Sequence, residues 1–328
     1  MQGMKTMEKV NKLLEERGRK AYEVAKEEIL NEEIEYEPVR DALQYFIQEL
    51  WHNFQHPALL SLASQSVGGK PQDTTLVGAA LVLLTGAADI HDDIIDQSKT
   101  KDSKLTVFGK FGRDIALLVG DALLVKGFSL LSEVCEDLPK KEGREIMNLV
   151  KEAFFEIGVA EAKEAGFKGN WDVSAEEYLD IIRMKAAIAE VTARVGAILG
   201  GGNTKEINAL AHYGRTLGIL MTIRDDFVDL FEVNELRNRA ENECLPLPLL
   251  YAFRNTRKKS EIVRLLRSDK ITEEETKEIL DLVLDMKEVH QLKDEMLLMI
   301  EHEEDPLVQI KTNRNVFRLL LSSTLEDL

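Results

Sequence analysis

The chain has 328 residues, 44% of them hydrophobic and 31% charged, with a formal net charge of −17. That length and apolar content allow one large domain or two, with a substantial core, while the negative balance argues against nucleic acid, whose phosphates it would repel. Cys135 and Cys244 stand far apart in no metal or redox spacing, so buried, inert thiols in a reducing cytoplasm are expected.

The first twenty residues are charged throughout and lack the apolar centre of a signal peptide. Apolar residues recur at three and four through Lys9 to Leu30, through ALQYFIQELW (42–51) and through ALLSLASQSV (58–67), the spacing of amphipathic helices. VGGKPQDT (67–74) reads as a loop whose Asp/Thr end can cap the next helix. TLVGAALVLLTGAADIHDDIID (75–96) is apolar nearly all round, as suits a helix at the centre of a bundle. SKTKDSK (98–104) is a polar break. Central helices follow in DIALLVGDALLVKGFSLLSEV (114–134), EEYLDIIRMKAAIAEVTARVGAILG (176–200) and INALAHYGRTLGILMTIRDDFVDLFEV (207–233). ENECLPLPLLYAF (241–253) resumes helix after its prolines, and the stretch 258–328 is short, charged and amphipathic. Proline is absent between Pro71 and Pro139 and between Pro139 and Pro246, which permits long helices. No strand alternation or composition break is found, so one all-α domain over 1–328 is expected. No apolar run reaches the roughly 20 residues of a membrane span, so the chain is not expected to be an integral membrane protein.

One acidic pattern occurs twice: Asp92-Asp93-Ile94-Ile95-Asp96, and Asp225-Asp226-Phe227-Val228-Asp229. On a helix the first and last aspartate of each copy point the same way. Burying such carboxylates is costly without cations. Two clusters facing each other would suit hard divalent ions, and oxygen ligands favour Mg²⁺, which completes its shell with water and phosphate. A metal-bridged diphosphate site is the first expectation.

From about Pro38 to Tyr251 the chain resembles the trans-polyprenyl diphosphate synthases, the family of farnesyl and geranylgeranyl diphosphate synthases. The resemblance rests on IHDDIID, TVFGKFGRDIALLVGDALL, YLDIIRMKA, GILMTIRDDFVD and LPLLYA. It implies a bundle of long helices around a deep cavity, a homodimer, and three Mg²⁺ ions held by Asp92, Asp93, Asp96, Asp225, Asp226 and Asp229. In that picture the ions grip an allylic isoprenoid diphosphate, Lys185 contacts it, and the prenyl group passes to isopentenyl diphosphate. Asp92, Asp96, Asp225 and Lys185 would carry the chemistry. Arg224 beside the second motif matches the family.

The basic pocket for isopentenyl diphosphate does not match. The family's GGKR-x-RP segment corresponds to WHNFQHP (51–57), with Asn53, Phe54 and His56 at the basic positions. Lys101 and Asp102 stand where an arginine pair is usual, and Phe108 replaces a histidine. Ala186 and Thr222 replace a usual Thr and Gln. The loop after the second motif is shortened to LFEVNELRNRAENE, in which Arg237 and Arg239 read either as solvated or as substitute cations. Lys101, Lys99 or Lys104 is the candidate for residual attraction. His56 is expected to be structural, and His91 a hydrogen-bonding partner. Ala87 and Ala88, before the first motif, correspond to the floor of the family's prenyl-tail pocket and imply room for a long chain. The alternatives are a terpene-synthase-like lyase acting on one diphosphate, or a non-catalytic partner subunit of a heteromeric synthase.

Overall fold

The structure, a computed structural model, describes residues 4–101, 103–267, 272–326 and 328. Helices run as α1 Met4–Leu30, α2 Glu37–Tyr45, α3 Gln55–Val67, α4 Thr75–Ile95, α5 Val107–Phe111, α6 Arg113–Asp137 and α7 Lys140–Ala165. They continue as α8 Ala175–Lys185, α9 Ala187–Leu199, α10 Thr204–Asp229, α11 Val233–Asn242 and α12 Leu247–Ala252. α13 Thr256–Leu266, α14 Glu273–Leu284, α15 Lys287–His302, α16 Glu304–Leu307 and α17 Arg314–Ser323 complete the chain. The all-α expectation holds. One local exception is a two-residue hairpin, β1 Thr100–Lys101 with β2 Lys104–Leu105, inside the expected polar break.

Helix starts follow local chemistry. Ser174, Asn203 and Thr272 form capping boxes with Glu177, Glu206 and Glu275, opening α8, α10 and α14. Thr74 does not cap α4: its hydroxyl donates to the Pro71 carbonyl at 2.8 Å within a 3₁₀ turn, Pro71–Thr74.

α4 is buried continuously from Val77 to Ala87 and packs most extensively on α6. α9 lies against α3 and α10, and α1 crosses α3 and α4. α10 packs on both α8 and α9, and Asp92 and Asp96 at the end of α4 act on Lys185 at the end of α8, so both aspartate motifs lie beside the junction of α8 and α9.

Two helical stretches, Pro71–Ile95 and Arg113–Asp137, are long and apolar enough to cross a membrane, contrary to the sequence expectation. In the first, 72% of the apolar window is buried inside the protein, against 39% in the second. The first is thus a core helix, whereas α6 keeps an exposed apolar face with Leu117, Leu118 and Val125. Cys244 is buried as expected, but Cys135 is only partly so.

Candidate active site

α4 ends on the first motif. Asp96 is its C-cap, Gln97 takes a left-handed φ of 56°, and the Ser98 N–H donates to the Asp93 carbonyl at 2.9 Å, a Schellman closure without glycine. The second motif likewise closes α10. Both clusters therefore sit where the helix dipole is negative, which adds to the demand for cations.

That demand is visible in the carboxylates. Burial, with Asp89 beside it and Lys101 opposing, pushes Asp93 up to about 8. Burial and Asp92 push Asp96 to about 9. Glu161 of α7, desolvated beside Asp92, rises to about 8. Asp225 reaches the open mouth of the cleft yet is desolvated by the surrounding helices, and with Asp226 as neighbour it rises to about 6. Burial takes Asp226 to about 7 and Asp229 to about 6, each against the pull of Arg239. Lys101 lowers both Asp93 and Asp225, so the two motifs share one electrostatic environment.

Lys185 lies among acids. Its ammonium is 3.2 Å from Glu161 and in closer contact with Glu164. Burial alone would lower it, but Glu164, Asp92 and Glu161 hold it well above the usual lysine value. Lys101 pairs with Asp89 at 2.5 Å, one turn before Asp93. Arg224 donates to the Glu326 carbonyl at 2.8 Å. His91 lies 3.3 Å from Asp121, and Gly120 gives it space: a Cβ there would come within 2.4 Å of the imidazole. The histidine packs against α6 and lies near Asp121, but its Nε2 makes no hydrogen bond, contrary to the expected hydrogen-bonding role.

The segment after the second motif is not a loop. It forms α11, and Arg239 on it is buried rather than solvated, at 8% exposure. Its guanidinium donates to Asp226 at 2.6 Å, to Glu243 at 2.9 Å and to the Tyr178 hydroxyl at 2.7 Å, with Glu164 and Asp229 each 3.7 Å away. Asn238 donates to the Asp96 carbonyl and to Ser98. α11 therefore ties the ends of α4 and α10 together. Arg237 is half-buried on the same helix. Glu161, Glu164, Tyr178, Asn238 and Glu243 were not singled out from sequence. Acids spaced three apart on a charged helix look the same whether they face solvent or a cleft.

Next to the cleft lies a cavity of about 230 Å³ between α1, α3, α9, α10 and α17. Val10, Leu14, Leu59, Met221 and Leu320 supply apolar wall, and Lys185, Arg224 and Asp225 its charged edge. His56 faces it, 3.4 Å from the Thr192 hydroxyl, and burial lowers it to about 4, so it is neutral near pH 7. Of the other departures from the family pattern, Ala186 and Thr222 line this cavity, while Asn53, Phe54 and Phe108 have structural employment. The Asn53 side chain accepts the Gln55 and His56 N–H groups, and Phe54 packs against Tyr22 and lies under Arg19. Phe108 is partly buried on α5. Asp102 lies outside the described residues. Ala87 is fully buried, Ala88 partly, and neither lines this cavity. Beside them, a Cβ on Gly86 would come 3.0 Å from the Phe46 ring, so an aromatic side chain occupies the space that residue leaves.

A family model described as polyprenyl synthetase matches residues 40–283. The chain belongs to that family. Among its relatives, a short chain isoprenyl diphosphate synthase of Methanothermobacter thermautotrophicus is 35% identical over 55% of this chain and 54% of its own length. A geranylgeranyl diphosphate synthase of Sulfolobus acidocaldarius is 31% identical over 53% of each. The alignments thus span about half the length of these curated relatives. A geranylgeranyl pyrophosphate synthetase from Pyrococcus horikoshii superposes with a TM-score of 0.86 over 98% of this chain and 99% of that one, at 24% identity. At that identity the likeness is one of polyprenyl synthetase fold.

Whether magnesium suits this site is decided by its polar atoms. Buried Asp92 Oδ1 and Asp93 Oδ2 have no donor, as expected of oxygens awaiting a cation. Among the described residues no three acidic, cysteine or histidine side chains converge as a ready-made metal cage. The first motif and Asp225 fit such an ion. Asp226 does not, since Arg239, Tyr178 and the Leu247 N–H already donate to it.

Proposed function

We propose that the chain is a Mg²⁺-dependent prenyltransferase of isoprenoid biosynthesis that binds an allylic isoprenoid diphosphate at the aspartate cleft. The observation that carries this is the donorless oxygen pair of Asp92 and Asp93, in a cleft short of positive charge, beside Lys185. Magnesium bound there would supply Lewis-acid charge to the leaving diphosphate. Asp92, Asp96 and Asp225 would hold it. Lys185, released from Glu161 and Glu164 by the incoming anion, would orient the diphosphate and hold its developing charge. The apolar wall of Leu59, Met221 and Leu320 keeps water from the allylic carbon once its C–O bond opens.

The acceptor side supports a narrower reading. A second diphosphate in the cavity would meet neutral His56 within, and cations only at the edge in Lys185 and Arg224, where charge-assisted bonds contribute about 1.5–3 kcal/mol each. The lining favours an acceptor without diphosphate, or ionisation of one diphosphate alone, over isopentenyl diphosphate. We also propose a homodimer. Leu117, Leu118 and Val125 of α6 and Phe155 and Val159 of α7 are exposed on two helices that pack together, an arrangement that a second copy would cover.

The test is incubation with Mg²⁺ and geranylgeranyl diphosphate, with and without labelled isopentenyl diphosphate, with Asp92→Ala as control. Release of diphosphate without label uptake, the prenyl cation losing a proton to give an olefin or capturing water to give an alcohol, is the expected result. Label in a longer diphosphate would restore ordinary chain elongation, and no turnover would favour a partner-subunit role.

A further inference from the structure

His56 stands in the first turn of α3 and lines the cavity beside the cleft. Its Nδ1 lies 3.4 Å from the hydroxyl of Thr192, a fully buried residue of α9. That hydroxyl spends its single hydrogen on the Ile188 carbonyl at 2.7 Å. Only its lone pairs remain for the imidazole, so the proton of the neutral ring belongs on Nδ1 and Nε2 is left bare. No described residue bonds to Nε2, which is accessible at the cavity rather than sealed in packing.

Two more groups of the lining repeat the pattern. The Thr222 hydroxyl donates to the Gly218 carbonyl at 3.1 Å, and the Ser323 hydroxyl to the Leu320 carbonyl at 2.7 Å. Both residues line the cavity with their hydrogens already used. Charged donors stand only at the edge, in Lys185 and Arg224, while the amides of Asn11 and Gln55 serve either way. Elsewhere the polar lining offers lone pairs. A diphosphate, all acceptor oxygen, is mismatched to it, whereas a neutral molecule with an O–H to give is matched.

We propose that the cavity takes a neutral acceptor with a hydroxyl hydrogen, water or a small alcohol, and that His56 Nε2 is the base that removes its proton. This rests on the reading of the cleft as a site that ionises an allylic diphosphate. The allylic C–O bond breaks, and its electron pair leaves on the diphosphate. A lone pair of the acceptor oxygen forms the new C–O bond, the O–H pair returns to that oxygen, and the proton passes to Nε2. The apolar walls exclude bulk solvent, so an O–H held at Nε2 is the nucleophile the cavity admits. The imidazolium keeps its Nδ1–H on Thr192. Burial disfavours that cation, so the proton leaves with the diphosphate and the bare nitrogen is restored. Thr192 does not line the cavity. It is a positioning residue that fixes which nitrogen is bare.

The experiment follows the oxygen. Full-length protein with Mg²⁺ and geranylgeranyl diphosphate is incubated in ¹⁸O-water, with and without 1-butanol, and products are separated by mass. The wild type is expected to give prenyl alcohol carrying ¹⁸O on carbon, and a butyl ether when the alcohol is present. Ether without alcohol would assign the cavity to an organic acceptor, and alcohol alone would assign it to water. His56→Gln should lower the ratio of oxygenated product to released diphosphate by about tenfold or more, with olefin making up the difference. An unchanged ratio would overturn the role of His56. Long-range ¹H–¹⁵N spectra of the wild type should show His56 as the Nδ1–H tautomer, and Thr192→Val should lose that preference. An Nε2–H tautomer in the wild type would overturn the proposal even if His56→Gln does not fold. Olefin as the sole wild-type product would overturn this inference and leave the ionising cleft intact. Absence of any diphosphate release would overturn both.

Discussion

The cleft and the cavity beside it share an edge at Lys185, Arg224 and Asp225 but are built from opposite materials. On the cleft side, carboxylates from α4, α7 and α10 crowd at negative helix ends, and even Lys185 and Arg239 leave Asp93, Asp96 and Glu161 raised to about 8 or 9. On the cavity side the walls are apolar, and His56 is held neutral. The first surface is complementary to metal and diphosphate. The second offers a diphosphate little beyond the charges at its rim. Under the function proposed here, two such unlike surfaces suit two substrates of unlike charge, so that the acceptor, rather than the allylic substrate, would set this chain apart from the pattern it resembles.

The largest effect should be on how the stability of metal-free protein depends on pH. The folded pKa values of Asp93, Asp96, Glu161, Asp225, Asp226 and Asp229 run from about 6 to about 9, against about 4 in an unfolded chain. Between those limits the folded state holds protons that the unfolded state has released, so stability falls as pH rises through the window. His56 works in the opposite sense between about pH 4 and 6.5, but it is one group against six. Thermal melts from pH 5 to pH 9 should show a falling midpoint, and Mg²⁺ should flatten the curve. A rising midpoint would mean that the cleft is not short of cations.

Next in size, Asp92→Ala should slow diphosphate release about 10²–10³-fold, the scale for removing one group that stabilises developing charge. An unchanged rate would move the chemistry away from the cleft. Ala87→Phe should cost about 1–3 kcal/mol by overpacking a fully buried position, read by denaturant melts. Its effect on prenyl-chain preference is better sought at partly buried Ala88. The smallest change expected is from His56→Arg, which places a fixed charge in the neutral cavity. It should tighten isopentenyl diphosphate by about tenfold, equivalent to about 1.4 kcal/mol, measured by calorimetry. No gain would show that the cavity excludes the second diphosphate by shape rather than by charge.

The sequence by itself determined the helical class, the two aspartate motifs, Lys185 between them and the loss of the basic segment at 51–57. The helical class and the two motifs are local matters, because periodicity and the i to i+4 relation need no knowledge of the rest of the chain, whereas Lys185 and the segment 51–57 were legible only through the family resemblance. Tertiary structure decided what those residues face. It turned 230–243 from a loop into α11, and carried Arg239 from expected solvent into the second motif. It brought Glu161 and Glu164 across to Lys185, and gave Asn53 and Phe54 work within the fold. It also left α6 with an exposed apolar face, which composition alone cannot distinguish from a buried one. The reason is common to all of these: whether a charged or apolar side chain is solvated depends on which helices pack over it, and that is fixed by contacts far apart in sequence.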